Sequence, residues 1–396
     1  MDLDDLAWLL SDDGQLLLAE ATALVDAEPD PLRAQTALRR TTVPGATPDR
    51  TSLALSQAGL RRRAEAKLGA LAARMYFTPD ALEQATRLSV ARHRAARLRA
   101  FEAGTVIDLG CGIGGDLVAA AETGALVAGV DLDPVRVALA RANLDALGLP
   151  GAVQVADATT VDTSPFDVAF ADPARRSARG RSFSVDDWTP PWRFVEGLLR
   201  RDACVKVAPG IPHELVPDDV EAEWVSDHGE VKEAALWSGR LATVRRRATV
   251  LGDGGLATLT EEDDPGAAAV GVRPVGRYLH EPDGAVIRAG LVTAVAAATG
   301  GGLLDPHLAY TTSDEAPATP FARGYEVLEE LPYREKPLRA ALRERGIGRL
   351  EIKKRGVDVV PEQLRKRLAL SGDTEGTLVL TRVAGEGTAL LVRPLR

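Results

Sequence analysis

Glycines and carboxylates come together in a pattern that could hold a small charged ligand. The stretch VIDLGCGIGG places Gly110, Gly112 and Gly114 directly after an apolar run that indicates a buried strand. Glycines at this spacing let the chain turn sharply and bring a ligand close to backbone amides at the start of a helix. With Gly115 the loop also fits G-x-G-x-x-G, so the glycines alone do not identify the ligand.

Carboxylates at the ends of three successive predicted strands help to identify the ligand. Asp108 lies two residues before the first glycine, where it can meet an ammonium group, whereas a nicotinamide dinucleotide offers it only a negative pyrophosphate. Asp131 ends the second strand and suits ribose hydroxyls in either cofactor class. Asp157 ends the third strand and suits an adenine amino group. Any one of these acids could simply cap a helix, but the set favours S-adenosylmethionine.

The same segments resemble the class I S-adenosylmethionine-dependent methyltransferases. VIDLGCGIGG, GVDLDP, VADAT and AFADPARR are similar to their first four motifs, within about residues 100–251. The resemblance implies an α/β fold with a Rossmann-like seven-stranded methyltransferase sheet. It also implies that Asp108 and the glycines hold the methionine part of the cofactor, Asp131 the ribose and Asp157 the adenine. Leu132 would pack on the adenine ring.

The methyl acceptor is expected beside Asp172 and Pro173. These two residues match the start of the [DN]-P-P-[FYW] signature of methyltransferases that modify exocyclic amines, in which the acid orients the amine. Ala174 and Arg175 replace the second proline and the aromatic residue. Arg175 could stack on a base, pair with a phosphate, or form a salt bridge within the protein.

A basic and aromatic segment follows this motif. It contains Arg175, Arg176, Arg179, Arg181, Trp188 and Trp192. Arginines beside aromatic residues suit single-stranded nucleic acid. An ordinary loop with its tryptophans in the core explains the segment equally well.

The elements that position these residues change along the chain. Residues 1–100 are predicted to be helical, with one long helix over residues 78–101. Residues 101–275 alternate apolar runs and helical segments, as in a parallel sheet, and end in a linker or long hairpin loop over residues 252–275. Residues 276–396 contain a glycine-closed helix in GAVIRAGLVTAVAAATGG and then a small α+β unit.

This last unit resembles the THUMP-like domain that follows methyltransferase cores in certain bacterial proteins. The THUMP domain itself binds RNA in tRNA-modifying enzymes, and the core is also similar to that of RNA guanine-N2 (cap-type) methyltransferases. A phosphate-binding face could be formed jointly by Lys353, Lys354, Arg355, Arg365 and Arg367. A basic face without a nucleic-acid role is the alternative.

Composition sets the remaining limits. The 396 residues include 48 Lys and Arg, 57 Asp and Glu and two cysteines, a balance of -9 that argues against a uniformly basic coat. Residues 60–100 and 321–396 are nevertheless basic, either to steer a polyanion or as solvated helix faces. Two cysteines cannot form a disulfide framework, and with no apolar stretch of membrane-spanning length the composition predicts a cytoplasmic protein without membrane contact.

Two polar features carry no assigned chemistry. Cys111, inside the glycine loop, lacks a nearby His or a second Cys and is interpreted as a small filler residue. His280, Glu281 and Asp283 are more typical of a helix start than of a metal site, so no metal is assigned.

The sequence therefore predicts an S-adenosylmethionine-dependent methyltransferase that acts on RNA. A small-molecule or protein acceptor, and a non-catalytic RNA-binding protein on the same scaffold, stay open as alternatives. The sequence does not specify the methylated atom or the oligomeric state.

Overall fold

The computed structural model describes residues 1–28, 30–175, 188–316 and 318–395. It contains two compact units. The first comprises Met1–Val220 and Ala235–Thr243, and the second comprises Glu221–Ala234 and Val244–Arg396. In the part of the chain that is described, no helix combines the length and the apolar character needed to cross a membrane.

The first hundred residues are helical, as predicted. The helices are α1 (Leu3–Leu9), α2 (Asp12–Ala27), α3 (Pro31–Leu38), α4 (Pro48–Leu68), α5 (Pro79–Gln84) and α6 (Leu88–Ala100). Polar side chains that accept hydrogen bonds from the first turn begin several of them, among them Ser11, Asp30, Thr47 and Thr78. Their apolar faces form one core.

The single long helix expected over residues 78–101 is wrong, because the chain breaks between α5 and α6. Ala85 ends α5 with ψ near 135°. Lys67 from α4 donates to the carbonyl oxygens of Leu82, Glu83 and Ala85 at 2.9, 2.5 and 3.4 Å. A continuous helix would use these carbonyls for its own next turn, so the lysine stabilises the break.

A parallel sheet forms the centre of the first unit. Its elements are β1 (Thr105–Leu109), α7 (Gly115–Glu122), β2 (Leu126–Asp131), α8 (Pro134–Leu147), β3 (Ala152–Val155), β4 (Val168–Ala171), β5 (Ala174–Arg175), β6 (Trp188–Thr189), α9 (Trp192–Leu198) and β7 (Ala203–Val207). Strands β3-β2-β1-β4-β7 pair in parallel in this order. The carboxyl ends of β1, β2 and β4 therefore meet at one edge, where Rossmann-like folds bind ligands.

Four further strands follow in the chain. They are β8 (Glu221–Asp227), β9 (Glu230–Ser238), β10 (Arg246–Gly252) and β11 (Gly255–Thr260), followed by α10 (Ala267–Val270). Strand β10 runs parallel to β8 and antiparallel to β11. Strands β1–β4 and β7–β9 are the seven expected, and β10 and β11 are additional. The loop expected over residues 252–275 is only partly correct, since it contains β11 and α10.

The C-terminal part is the predicted α+β unit. Its elements are β12 (Tyr278–Pro282), α11 (Gly284–Ala289), α12 (Val292–Ala298), β13 (Gly302–Leu303), β14 (Thr311–Ser313), β15 (Ala322–Leu331), α13 (Glu335–Glu344), β16 (Ile347–Lys354), α14 (Pro361–Leu368), β17 (Thr374–Val383) and β18 (Glu386–Pro394). The strands form one sheet in the order β13-β14-β12-β15-β18-β17-β16. The glycine-closed helix predicted here is two helices, because Gly290 adopts a left-handed conformation with φ 71°.

Helix α14 packs on one face of this sheet, and the predicted basic residues are distributed relative to that face. Ile352 belongs to the core that contains Leu364 and Leu368 of α14. Neighbouring strand residues point to opposite faces, so Lys353 and Arg355 lie on the face away from α14. The single basic face predicted from Lys353, Lys354, Arg355, Arg365 and Arg367 stays a prediction, because Lys354 lies on the other face of β16 and the two arginines Arg365 and Arg367 lie on α14.

Candidate active site at the carboxyl ends of the parallel strands

The glycine loop has the conformation that its sequence requires. Gly110, Gly112 and Gly114 have φ values of 107°, 54° and 80°, a region that residues with a Cβ rarely adopt. A Cβ built on Gly110 or Gly112 would meet no atom within 4 Å, so open space borders the loop. At Gly114 a Cβ would lie 3.2 Å from that of Ala140, so this glycine also lets α7 and α8 pack closely.

Asp131, at the end of the neighbouring strand β2, accepts a hydrogen bond from the glycine loop. Its Oδ2 accepts a hydrogen bond from the Gly112 amide at 3.1 Å, and its Oδ1 accepts one from the Asp133 amide at 2.9 Å. The side chain is half-buried at the end of β2. The carboxylate therefore stands beside the glycines, as the strand order predicts.

Asp108 is a buried carboxylate with an unused oxygen. Its side chain is 3% exposed, and Oδ1 has no hydrogen-bond partner among the described residues. Burial raises the pKa of Asp108 well above its usual range, the negative charges of Asp116 and Asp172 raise it further, and Arg94 offsets part of the effect. A cationic group of a ligand would satisfy this carboxylate.

A chain of polar contacts connects the loop to the proposed acceptor side. Arg94 forms an ion pair with Asp116 in the first turn of α7. Thr86 donates to the other oxygen of Asp116 at 2.9 Å and accepts from Lys206 at 3.4 Å. Lys206 in turn forms an ion pair with Asp172. No sequence motif predicts these four residues, Thr86, Arg94, Asp116 and Lys206, as part of the site.

Two of these four residues leave a trace in the sequence. Lys206 is the charged residue within the apolar strand segment CVKV, and its side chain is 17% exposed. Arg94 lies on the buried face of α6, where its guanidinium stands 4.5 Å above the ring of Phe170. A charged residue at a core position signals a partner, although only the fold identifies that partner.

The acceptor motif lies directly after β4. Asp172 is half-buried and Pro173 is buried. Arg175 pairs through its backbone with Trp188 in the short β5–β6 ribbon. Arg176, Arg179 and Arg181, predicted to contact nucleic acid, lie outside the described residues.

The tryptophans after this segment belong to the core. The rings of Trp188 and Trp192 meet edge to face at 5.3 Å, and the residues are 3% and 9% exposed. Side chains packed in this way have no free ring face for a base. The interpretation of an ordinary loop with buried tryptophans is therefore favoured.

The proposed adenine side is open to solvent. Leu132 is 65% exposed, and Val155, paired with Asp131 in register, is 49% exposed. Asp157 is exposed and accepts from the backbone amide and hydroxyl of Thr159 at 2.9 and 2.7 Å. These bonds lower the pKa of Asp157. Asp157 thus caps a short helical turn, which was the alternative to a ligand role.

The filler interpretation of Cys111 agrees with its surroundings. The side chain is 6% exposed, and a Cβ built on Gly129 of β2 would come within 2.9 Å of the Cys111 Cβ. Burial raises the pKa of the Cys111 thiol. A protonated, buried thiol is a poor nucleophile.

Many basic residues of the two basic regions have partners within the protein. Arg61 and Arg62 donate to the carbonyls of Met75 and Val25 at 2.9 and 2.7 Å. In the C-terminal unit, Lys353 pairs with Glu281 at 3.0 Å, Arg367 pairs with Glu335 at 2.8 Å, and Arg365 donates to the Leu350 carbonyl at 3.0 Å. Basic sequence here therefore reflects internal bonding as well as surface charge.

Three segments of the chain match protein-family models. Residues 106–176 match a methyltransferase domain, residues 322–394 match a THUMP domain-like family, and residues 2–64 match a domain of unknown function. The first covers the glycine loop and the four strand-end carboxylates. The second covers β15 to β18.

The chain is similar to proteins described as methyltransferases. An uncharacterised S-adenosylmethionine-dependent methyltransferase of Mycobacterium tuberculosis is 42% identical over 353 residues, which covers 85% of this chain and 95% of the relative. A ribosomal protein L11 methyltransferase of Dechloromonas aromatica is 46% identical over 130 residues, 31% of this chain and 43% of the relative.

A solved structure shares the fold. The crystal structure of a candidate methyltransferase from Porphyromonas gingivalis superposes with a TM-score of 0.73 at 22% identity, over 96% of this chain and 99% of that one. Together with the family matches and the Mycobacterium relative, this likeness confirms the predicted methyltransferase fold with a THUMP-like C-terminal part.

Proposed function

The chain belongs to the S-adenosylmethionine-dependent methyltransferases, and from this premise we propose that it methylates RNA. S-adenosylmethionine supplies an electrophilic methyl group on a sulfonium. The match of residues 322–394 to a THUMP-like family carries the proposal of an RNA acceptor, because the related THUMP domain binds RNA in tRNA-modifying enzymes.

Charge balance supports the proposed position of the methyl donor. Arg94 compensates Asp116 and Lys206 compensates Asp172. The contacts of Asp131 in the site are backbone amides, and Asp108 has an oxygen without a partner. Two carboxylates are thus left for the ammonium and sulfonium charges of the donor.

We assign the donor contacts residue by residue. Asp108 would accept hydrogen bonds from the ammonium, and the open loop of Gly110, Gly112 and Gly114 would let the methionine part approach the backbone. Asp131 would accept hydrogen bonds from the ribose hydroxyls. Leu132 would pack on the adenine, and Asp157 would accept from its amino group after giving up part of its capping role.

Asp172 would orient the methyl acceptor. Lys206 occupies one carboxylate oxygen, and the side chain of Asp172 is 35% exposed. The other oxygen would accept a hydrogen bond from an N–H of a base exocyclic amine. The nitrogen lone pair then forms a bond to the methyl carbon as the carbon–sulfur bond breaks, and the amine proton leaves through Asp172. Pro173 would shape this pocket, and Arg175 would stack on the base or pair with a phosphate.

A labelling experiment tests the acceptor. Methyl-labelled S-adenosylmethionine is incubated with the protein and with total RNA, protein extract or metabolites from cells that lack it. We expect label in the RNA fraction, and a loss of at least tenfold with Asp172→Asn, because an amide does not orient and deprotonate the amine equally well. Asp162→Asn, a change at an exposed acid that caps Ser164, should leave the label unchanged.

A small-molecule acceptor is the second candidate. It is favoured by the use of Arg61, Arg62 and Lys67 for internal carbonyls and by the net charge of -9, which leave less basic surface for RNA. Label that enters the metabolite fraction instead of RNA would support it. Label that enters none of the three fractions would contradict both candidates and favour the non-catalytic scaffold.

A further inference from the structure

Lys206 is a charged residue inside an otherwise apolar strand, and its partners lie in the candidate active site. It belongs to β7, between Val205 and Val207, which are both buried. Its side chain is 17% exposed and forms an ion pair with Asp172. Replacing a buried ion pair with apolar residues is often neutral or stabilising, so stability alone does not account for a lysine at this position.

The order of the strands brings Lys206 and Asp172 together. Strands β4 and β7 are parallel neighbours, and Ala171 pairs with Val205 in register. Lys206 and Asp172 are each the next residue along their chains, so their side chains start from neighbouring positions at the carboxyl ends of the strands. The ion pair therefore lies at the edge of the sheet that contains the glycine loop.

Two polar contacts hold the lysine ammonium in place. Lys206 Nζ lies 2.5 Å from Asp172 Oδ2 and 3.4 Å from Thr86 Oγ1. The Thr86 hydroxyl donates its proton to Asp116 at 2.9 Å, so its oxygen accepts from the lysine. Because the lysine uses Oδ2 of Asp172, we expect a methyl acceptor to meet Oδ1.

Lys206 also lies in a region that is rich in carboxylates. Burial raises the pKa of Asp108, and the negative charges of Asp116 and Asp172 raise it further, so the three carboxylates lie close to one another. Arg94 compensates the charge of Asp116, and Lys206 compensates that of Asp172. Without the lysine, Asp172 would present a negative charge to the methyl donor.

We propose that Lys206 is a positioning residue for methyl transfer. It holds Asp172 through Oδ2, directs Oδ1 to the acceptor and cancels the carboxylate charge. The methyl group must face the acceptor, so the donor sulfonium stands on the Asp172 side of the bound cofactor. A carboxylate without its lysine would turn to the sulfonium instead of accepting from the acceptor amine. This inference rests on the methyl transfer at Asp172 proposed above.

Calorimetry with the donor and its product tests the charge role of Lys206 in the full chain. S-adenosylmethionine carries the sulfonium charge, whereas S-adenosylhomocysteine has a neutral thioether in its place. We expect Lys206→Met to shift the ratio of the two affinities about threefold towards S-adenosylmethionine, because an uncompensated carboxylate favours only the cationic ligand. Methionine keeps a long, unbranched side chain. Lys206→Arg keeps the charge and should leave the ratio unchanged.

The rate of methyl transfer tests the positioning role. At saturating S-adenosylmethionine, we expect Lys206→Met to transfer label about tenfold more slowly, because Asp172 is no longer held towards the acceptor. Lys206→Arg should restore part of this rate. A merely structural defect would weaken the binding of donor and product equally, so only the positioning role predicts slower transfer together with a shifted affinity ratio.

Lys232→Met is the matched control. Lys232 lies on β9, its side chain is 21% exposed, and it forms an ion pair with Glu230. The variant therefore loses a comparable ion pair outside the site, and its affinity ratio and rate should equal those of the unchanged protein. An unchanged ratio or an unchanged rate in Lys206→Met, or an equal shift of the ratio in Lys232→Met, would overturn the proposal.

The affinity ratio also separates this proposal from that of an RNA acceptor, because its measurement needs no acceptor. The expected shift in ratio without label in RNA would contradict the RNA acceptor alone. Label in RNA with an unchanged ratio in Lys206→Met would contradict the role of Lys206 alone.

Discussion

Asp108 carries the strongest functional signal of any single residue in the methyltransferase domain. A buried carboxylate with an unpartnered oxygen and other carboxylates nearby destabilises the folded protein. Such a group persists where a ligand supplies the missing positive charge. Stability and donor binding should therefore respond in opposite directions when this charge is removed.

Replacing Asp108 with asparagine tests whether stability and donor binding change in opposite directions. We expect Asp108→Asn to raise the free energy of unfolding at pH 8 by about 1–2 kcal/mol, the usual gain from relieving a strained functional site. Affinity for S-adenosylmethionine should fall at least tenfold, because a charge-assisted hydrogen bond is lost. Thermal unfolding and calorimetry measure the two effects.

Asp167→Asn is the contrasting variant. Asp167 accepts from the amides of Gly104 and Thr105 at 2.9 Å each, and these bonds lower the pKa of its carboxyl. The change should lower stability and leave donor affinity unaltered. A fall in stability for Asp108→Asn as well would show that the Asp108 charge is satisfied without a ligand.

The raised pKa of Asp108 also predicts a pH dependence. In the free protein the carboxyl keeps its proton to a higher pH than an ordinary aspartate. A bound ammonium favours the ionised form, so donor binding should release protons, and affinity should rise with pH until it passes this raised pKa. Calorimetry between pH 5 and 7 in buffers of different ionisation enthalpy measures the release. Proton release that persists in Asp108→Asn would rule out this carboxyl as its source.

At the scale of residues, the sequence predicts the position of single side chains along the strands better than it predicts which residues those side chains contact. Asp108, the glycines, Asp131 and Asp172 follow from motif spacing, because each lies at the end of a recognisable strand. The pairing of Lys206 with Asp172 depends on two strands being neighbours in the sheet, which local spacing does not encode. The proposed ligand role of Asp157 stays a prediction, since its carboxylate now caps a turn.

At the scale of elements, one buried side chain connects the N-terminal region to the glycine loop. Asn143 on α8 is fully buried and donates to the carbonyls of Ile113 in the loop and Tyr76 before α5, at 2.9 and 3.2 Å. Its Oδ1 accepts from the Tyr76 amide at 2.6 Å. One side chain thus connects three segments. We therefore expect the geometry of the glycine loop to depend on α8 and on the segment before α5.

Asn143→Ala should therefore weaken both the fold and the loop. We expect a loss of about 2–3 kcal/mol in the free energy of unfolding, since buried backbone groups lose their partners, and a fall of at least threefold in affinity for S-adenosylhomocysteine. Denaturant unfolding and calorimetry measure these changes.

Gln57→Ala is the control for this variant. Gln57 is also buried and accepts from the Phe77 amide at 3.3 Å, but the bond does not reach the loop. It should cost stability without changing the affinity of the folded protein for S-adenosylhomocysteine. Equal losses of affinity in the two variants would show that Asn143 acts only through general stability.

The element boundaries that the sequence misses have local physical causes. Lys67, distant in sequence, ends α5 by taking its last carbonyls. Gly290 divides the helix predicted in GAVIRAGLVTAVAAATGG through a left-handed residue, although helical spacing continues across it. The alternation of strands and helices from β15 to β18 was predictable, because each apolar pattern is bounded by glycine or proline.

At the scale of the whole molecule, charge is arranged less simply than the sequence suggests. The basic regions 60–100 and 321–396 contain arginines and lysines that bind carbonyls or carboxylates of the protein itself, such as Arg62 and Arg367. Sequence counts these charges but not their partners. An RNA acceptor would therefore be recognised at a few specific places rather than along broad basic faces.

The division of the chain into three parts, as predicted from the sequence, differs from its division into compact units. The three parts predicted from the sequence, residues 1–100, 101–275 and 276–396, each contain one family match. Contacts instead gather the first two parts, up to Val220, into one unit. The hydrogen bond between Thr86, which lies between α5 and α6, and Asp116 of α7 is one of the contacts that connect these two parts.

The proposal that the strand-end carboxylates form the methyl-donor site is tested most directly by calorimetry with S-adenosylmethionine on Asp131→Ala and Asp133→Ala. Asp133 also accepts a backbone amide, that of Val135 at 2.8 Å, but it caps α8 instead of bordering the loop. We expect that Asp131→Ala abolishes measurable binding, whereas Asp133→Ala binds S-adenosylmethionine nearly as tightly as the unchanged protein does. Unchanged affinity in folded Asp131→Ala would contradict the assignment of the methyl-donor site.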